Sequence, residues 1–382
     1  MSEKQTVKFG DICREVKLTT KDPIGDGYER YIGLEHLDSG SLKIKRWGMI
    51  AEDNPSFTRV FKKGHILFGK RRPYLKKAAI AEFDGICSGD IIVMEPKLLN
   101  SELFPYIVQS DSFWDWAIQT SSGSLSPRTK YKSLAQYQFM LPDETNQEKI
   151  LTVLRKIEKN ESELELTMEH CFQLKKSLES KFINHLVSYS LSDEPGFYKL
   201  SELGDFKNGL NKDKDSFGSG TPFVNLDDVF AKDEIDTTPE GLVECSKSDI
   251  ENYSLNAGDI LFVRSSVKPS GVAKTSLILS PPGDVVFSGF LIRFRPKDIR
   301  LSEFFNFIFN SEAFKHRISA FVTVSANSNI NQKALQAQKI KIPPHPDVET
   351  ICTSLRAING ELRFIENQLA TLKKVQKSII EG

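Results

Sequence analysis

The chain repeats itself over a long interval. Ser101-Glu102-Leu103-Phe104 returns as Ser302-Glu303-Phe304-Phe305, 201 residues later. At that offset Phe113 meets Phe314, Lys132 meets Lys333, Leu134 meets Leu335, Pro142 meets Pro343 and Ile150 meets Ile351. Gly64-His65-Ile66-Leu67-Phe68 returns as Gly258-Asp259-Ile260-Leu261-Phe262, at an offset of 194. Solenoid units run to roughly 20–50 residues, so a spacing this large marks a duplicated domain. Two related but unequal halves suit a ligand with two related but unequal parts.

Each half reads in one order. Short strands come first, Tyr31-Ile32-Gly33-Leu34 matching Phe223-Val224-Asn225-Leu226. Strands ending Ile66-Leu67-Phe68 and Ile260-Leu261-Phe262-Val263 follow, then Asp90-Ile91-Ile92-Val93-Met94 and Phe290-Leu291-Ile292-Arg293-Phe294-Arg295. Alternation of Ile292 and Phe294 with Arg293 and Arg295 predicts one buried and one wet face. Pro96 and Pro296 stop these strands, because proline cannot continue a ladder. Helical stretches follow, capped at Ser101 and Ser302 and running to Gln119 and about Phe321, with Phe113, Trp116 and Phe314 as core. Polar loops come next: Ser121-Ser122-Gly123-Ser124-Leu125-Ser126-Pro127, and Ser325-Ala326-Asn327-Ser328-Asn329-Ile330-Asn331.

A long helix closes each half. In the second, Ile351, Leu355, Ile358, Leu362, Ile365, Leu369 and Leu372 alternate spacings of four and three, the seam of a coiled coil. The first shows Ile150, Leu154, Ile157, Leu164 and Met168, with Glu161 breaking the stripe. Pro142 precedes it, with Thr145 or Asn146 as cap. A seam needs a partner, and the simplest partner for each helix is the other copy, antiparallel to it. The expected class is therefore α+β: two similar globular domains separated by two long antiparallel coiled-coil helices. The boundaries read as domain one at 1–145, helix at 146–187, linker at 188–197 around Pro195-Gly196, domain two at 198–344 and helix at 345–382.

Charge decides less in total than in arrangement. The 51 Lys and Arg balance 51 Asp and Glu, which argues mildly against a nucleic-acid binder. Yet Arg59 to Lys77 contains eight cations and no acid, and a local patch can attract a polyanion whatever the net charge. The five scattered cysteines form no Cys-x-x-Cys, which points to reduced thiols and no zinc site. No apolar run approaches the roughly 20 residues of a membrane span. Met1-Ser2-Glu3-Lys4-Gln5 lacks a basic-then-apolar leader. The expectation is a cytoplasmic protein.

Catalytic motifs fail on inspection. Gly64…Gly69-Lys70-Arg71 imitates a phosphate loop, but Arg71 stands where a hydroxyl must hold magnesium. Neither Pro281-Pro282 nor Pro343-Pro344 completes the base-gripping motif of DNA amino-methyltransferases. Gly-x-Ser-x-Gly is absent and no histidines pair at metal spacing. No catalytic residue and no metal site is expected. Binding chemistry remains. Lys70, Arg71, Arg72, Tyr74, Lys76 and Lys77 put guanidinium forks beside a ring directly after a strand, and Ser124, Arg128 and Lys130 add a second cluster. Arginine can pair two-pronged with guanine, and lysine neutralises phosphate. The second half offers Arg264, Ser266 and Lys268 at the same place, with Asn327 and Asn329 as amides suited to adenine.

The duplicated order of domain then helix, Gly69-Lys70-Arg71-Arg72-Pro73-Tyr74 with Asp84-Gly85-Ile86-Cys87-Ser88, and Leu141-Pro142…Gln147-Glu148-Lys149-Ile150 resemble the specificity subunits of type I restriction-modification enzymes. The likeness covers the full length. The second copy departs from it at Val348-Glu349, where the glutamine would sit. The resemblance implies two target-recognition domains reading a bipartite double-stranded DNA target, and paired helices that fix the gap. It also implies docking of two methyltransferase subunits and, with them, restriction and translocase subunits. S-adenosylmethionine, ATP and magnesium would serve those partners, with no cofactor in this chain. The rival readings are a stand-alone DNA-modifying enzyme, which would need a cofactor loop, and a coiled-coil adaptor, which would not need the basic loops.

Overall fold

The computed structural model describes residues 5–97, 102–188, 194–280, 283–324 and 327–381. Ser101, linker residues 189–193, Pro281, Pro282, Ser325 and Ala326 lie outside them. The chain divides into two compact units, Met1–Glu165 with Glu366–Gly382, and Leu166–Ile365. Among the described residues no helix is long and apolar enough to cross a membrane.

In the first unit, β1 (Ile66–Gly69) and β2 (Ile91–Pro96) are the middle of a four-stranded antiparallel sheet, flanked by Cys13–Glu15 and Ala78–Ile80. All four residues of β1 are buried. That is why it reads as a continuous apolar run: both faces meet protein. A second four-stranded sheet contains one parallel pair, Arg30–Ile32 with Gly85–Cys87. Phe9, Phe68, Phe104, Phe113 and Trp114 fill the core, with Phe68 and Trp114 stacked at 4.5 Å. Long helix α1 (Glu144–Phe182) leaves this unit.

The second unit repeats the plan. β3 (Ile260–Val263) and β4 (Leu291–Pro296) sit inside a five-stranded sheet, and Phe217–Val224 lies parallel to Val286–Phe287 in a second sheet. Phe262, Phe305 and Phe314 take the places of Phe68, Phe104 and Phe113 in its core. The second long helix, α2, is His345–Glu381. The wet face expected on β4 is absent at Arg293. That residue is only 8% exposed, lies over the Phe287 ring and donates to the Ser254 carbonyl. Arg295 forms a two-pronged pair with buried Asp259 at 2.7 Å.

The helical stretches after these sheets are broken where one run was expected. Ser110 Oγ accepts from Phe113 N–H, starting a new helix at Asp111, and Ser311 Oγ does the same for Phe314. A hydroxyl that satisfies an orphan amide makes the restart favourable. The cap of α1 is likewise Asp143, which accepts from Asn146 N–H, so neither Thr145 nor Asn146 serves. At its other end α1 stops at Phe182, short of 187. A tighter turn, Asn184–Val187, follows, and Ile183, Leu186 and Val187 are buried in the second unit's core.

Each long helix is bolted to its own sheet domain at a repeat-equivalent place. Arg155 pairs with Glu102, and Arg356 pairs with Glu303. Partly exposed pairs add little stability, so these set register more than energy. Leu154 and Ile157 are buried, Ile150, Leu164 and Met168 half-buried, and Leu151, outside the predicted stripe, is fully buried. On α2, Ile351, Leu355, Ile358, Leu362 and Ile365 are buried, and Leu369 and Leu372 half-buried. The far end of each helix returns to the other half's core. Leu178 and Phe182 pack on the core that holds Val348 and Ile351, and Ile379 and Ile380 pack on the core that holds Leu151 and Leu154.

Glu161 stands where the repeat has buried Leu362. Its Oε1 is buried without a hydrogen-bond partner among the described residues, and burial pushes the carboxyl above its ordinary 4.5. A raised acid costs stability once pH forces it to ionise. Glu161→Leu is expected to raise the melting temperature, with a gain of about 1–3 kcal/mol. Thermal unfolding of both proteins should show the gain larger at pH 7 than at about pH 4.

Candidate nucleic-acid interface

One backbone construction occurs in both units, directly after the central strand. In the first, Lys70 N–H donates to the Asp90 carbonyl at 2.9 Å, and Lys70 C=O accepts from Thr129 N–H at 3.0 Å. In the second, Arg264 N–H donates to the Phe290 carbonyl at 2.8 Å, and Arg264 C=O accepts from Ile330 N–H at 3.0 Å. The next residues extend the ladder. Arg71 bridges to Arg128 and Arg128 to Ser122. Ser265 pairs with Asn329 and Asn329 with Thr323. The post-strand loop and the polar loop, far apart in sequence, thus meet in each unit.

The strand's last residue in the first unit must be small. A Cβ on Gly69 would come within 3.0 Å of the Lys77 carbonyl oxygen. Beyond it the chain turns sharply: Arg72 and Lys76 both hold left-handed backbone, with φ of 53° and 48°. Arg72 N–H is tied to the Pro127 carbonyl at 2.7 Å, which offsets that strain.

Asp90 organises the side chains of this loop. Arg128 Nε donates to its Oδ1 at 2.9 Å and Arg128 Nη2 to its Oδ2 at 3.4 Å. Arg71 Nη1 lies 3.6 Å from the same carboxylate, while Arg71 Nε donates to Ser126 Oγ at 2.7 Å. Burial alone would push the Asp90 carboxyl up, but Arg128, Arg71 and Lys70 outweigh it and hold it below its ordinary 3.8. Both arginines remain partly exposed, so each keeps N–H groups for an outside acceptor.

The other sequence-selected residues divide. Lys70, Arg72 and Lys130 have side chains with no hydrogen bond or ion pair among the described residues, and Arg72 and Lys130 are exposed. Tyr74 is half exposed, and Ser124 sits at the loop tip beside Leu125. Lys76 instead pairs with Asp111 at 2.5 Å, and Lys77 Nζ donates to the Leu34 carbonyl at 2.7 Å, so protein groups hold both. The acid-free run is also not acid-free in space. Glu15 meets Arg59, Asp84 meets Lys62, Asp90 meets Arg71 and Asp111 meets Lys76.

The second unit builds a different surface on the same ladder. Arg264 Nη1 donates to the Gly289 carbonyl at 3.3 Å. Ser266 Oγ accepts from Lys268 N–H, and Asn329 Nδ2 donates to the Asn327 carbonyl at 2.9 Å. Beside them opens a cleft of about 690 Å³, lined by Phe230, Ser266, Val267, Lys268, Phe290 and Asn327. Phe290 is 55% and Val267 83% exposed. Sequence reading passed over Asp90, Phe230, Val267 and Phe290. The usable signal was positional: Asp90 and Phe290 stand immediately before matching strands. Among the described residues no three His, Cys, Asp or Glu side chains are grouped to hold a metal ion.

The chain thus holds one fold twice, each copy presenting a polar or basic loop pair on the same backbone ladder. A family model described as the type I restriction modification DNA specificity domain matches residues 1–169 and again 193–374. The chain belongs to that family and carries its domain twice. It is 29% identical over 142 residues to the type I restriction enzyme EcoDI specificity subunit of Escherichia coli, covering 37% of this chain and 32% of that protein. It is 24% identical over 209 residues to the EcoKI specificity subunit of Escherichia coli strain K12, covering 53% and 44%. The matches therefore span less than half the length of these relatives. The S subunit of a type I restriction-modification system from M. genitalium superposes with a TM-score of 0.59 at 12% identity, covering 100% of this chain and 96% of that one. A chain from a structure explaining complex assembly and conformational transition of a type I restriction-modification system gives 0.55 at 20% identity, covering 98% and 96%. These structures share the fold.

The Asp90 cluster sets an acid limit. An acid whose folded pKa is depressed contributes stability above its ordinary value and loses it as pH falls through the folded one. Relative to Asp90→Asn, the wild-type chain should be more stable at pH 7, and this difference should shrink below about pH 4. Thermal unfolding of both proteins across pH 2–7 measures it.

Proposed function

We propose that this chain is a non-catalytic DNA-sequence reader that recognises a bipartite duplex and scaffolds methyltransferase subunits. One observation carries the reading. The same backbone ladder presents a polar or basic loop pair in each half of a chain built from a duplicated specificity domain. A duplex with two unequal half-sites offers a matching pair of targets. Lys70, Arg71, Arg72, Tyr74, Ser124, Arg128 and Lys130 address one half-site, and Arg264, Ser266, Lys268, Asn327 and Asn329 the other. Arginine forks suit base edges in the major groove, and unpaired lysines suit phosphates. Lys77 keeps its charge while the Leu34 carbonyl holds it, and Asp111 offsets that of Lys76. Zero net charge fits a reader whose partners share the backbone contacts.

In this reading α1 and α2 pair antiparallel as a coiled coil that separates the two reading domains and sets the gap between half-sites. Methyltransferase subunits dock along it, restriction and translocase subunits join them, and S-adenosylmethionine, ATP and magnesium act there. The site of action is the cytoplasm.

Selection from randomised duplex DNA by the assembled complex, followed by sequencing, tests the reading. The wild-type chain should select two short motifs with an unspecified gap. Arg71→Ala with Arg72→Ala should cut affinity about tenfold or more, erase one motif and spare the other. Selection of no motif by the wild-type complex would refute DNA reading. Inserting about four residues, one helical turn, into both α1 and α2 should change the preferred gap. An unchanged gap would remove the spacer role.

A further inference from the structure

Asp90 and Phe290 occupy one place in the two units. Each precedes the matching strand, and each carbonyl receives the amide of the first residue beyond the central strand, at 2.9 and 2.8 Å. Their side chains could hardly differ more. Asp90 gathers Arg71 and Arg128. Phe290 stands out into solvent on the wall of a cleft that also holds Phe230 and Val267. The residues they would organise change with them: Arg71 has Ser265 as counterpart, and Arg128 has Asn329.

We infer that this position determines the chemical class of base each half reads. The inference rests on the DNA-reading function proposed above. In the first unit Asp90 is a positioning residue. It takes the Nε–Nη2 edge of Arg128 and lies 3.6 Å from Nη1 of Arg71, whose Nε is held by Ser126, so the outward N–H groups of both are restricted in direction. A pre-oriented fork suits the paired acceptors of guanine, O6 and N7. An arginine fixed by its carboxylate also loses less side-chain entropy on binding than a loose one. In the second unit Phe290 offers no carboxylate to an arginine, and Arg264 is held by the Gly289 carbonyl instead. An exposed ring with Val267 offers apolar contact to a thymine methyl, and the amides of Asn327 and Asn329 suit adenine. The first half-site is therefore guanine-bearing and the second rich in A·T pairs.

The test uses the full chain assembled with its methyltransferase subunits and selection from randomised duplexes, scored position by position. The wild-type complex should select guanine in one half-site and A·T pairs in the other. Asp90→Asn should lower guanine preference about tenfold at one or two positions of its half-site, with the other half-site unchanged. Because that variant removes a negative charge, its affinity for non-specific DNA should rise and its salt dependence steepen. A domain that had merely lost its structure would instead bind more weakly. Asp90→Glu should restore part of the preference. Phe290→Ala should weaken A·T preference in the other half-site alone. If the wild-type complex selects a bipartite motif but neither Asp90→Asn nor Phe290→Ala alters it, the inference falls and the DNA-reading function stands. If the wild-type complex selects nothing, both fall.

Discussion

Everything in the candidate interface hangs from one backbone residue at the end of a buried strand. Its amide is fixed by the residue before the neighbouring strand, and its carbonyl by a residue at the end of the polar loop. Amide and carbonyl groups pair regardless of side chain. The ladder can therefore be kept while the side chains it carries are replaced. That freedom explains how Lys70 with Arg71 and Arg264 with Ser265 occupy one geometry with different chemistry. The buried strands beneath, β1 and β3, supply the rigidity that a reading loop lacks alone.

Electrostatics here depends on folding more than on sequence order. Four acids from distant segments come to lie against four cations of the Arg59–Lys77 run. The field that reaches solvent comes from fewer residues, Lys70 and Arg72 among them. The zero net charge is thus matched by local pairing along this run. Arg72 shows the cost of placing such a group: its φ of 53° is held by a hydrogen bond to Pro127.

Much of this was legible from the residues. The duplication, the buried strands and the two long helices follow from repeated apolar patterns, because period and burial are tied by geometry. Both loops were also identifiable, since charge and amide side chains stand out after a strand. What was hidden depends on contacts between distant segments. Nothing local announces that Asp90 clamps two arginines, that Arg293 is buried under Ser254, or that Ser110 and Ser311 restart a helix. Lys76 and Lys77 looked equivalent to Arg72 until Asp111 and the Leu34 carbonyl were seen beside them. Leu151 escaped the heptad because α1 there packs on a domain core.

The far ends of the helices carry a further meaning. Ile379 and Ile380 pack on the core made by Phe9, Phe68 and Phe104. A segment far along the chain therefore completes the domain that begins it. On the ribosome the first domain therefore keeps an apolar face uncovered until α2 has emerged, and its folding is coupled to that of a segment made long after it.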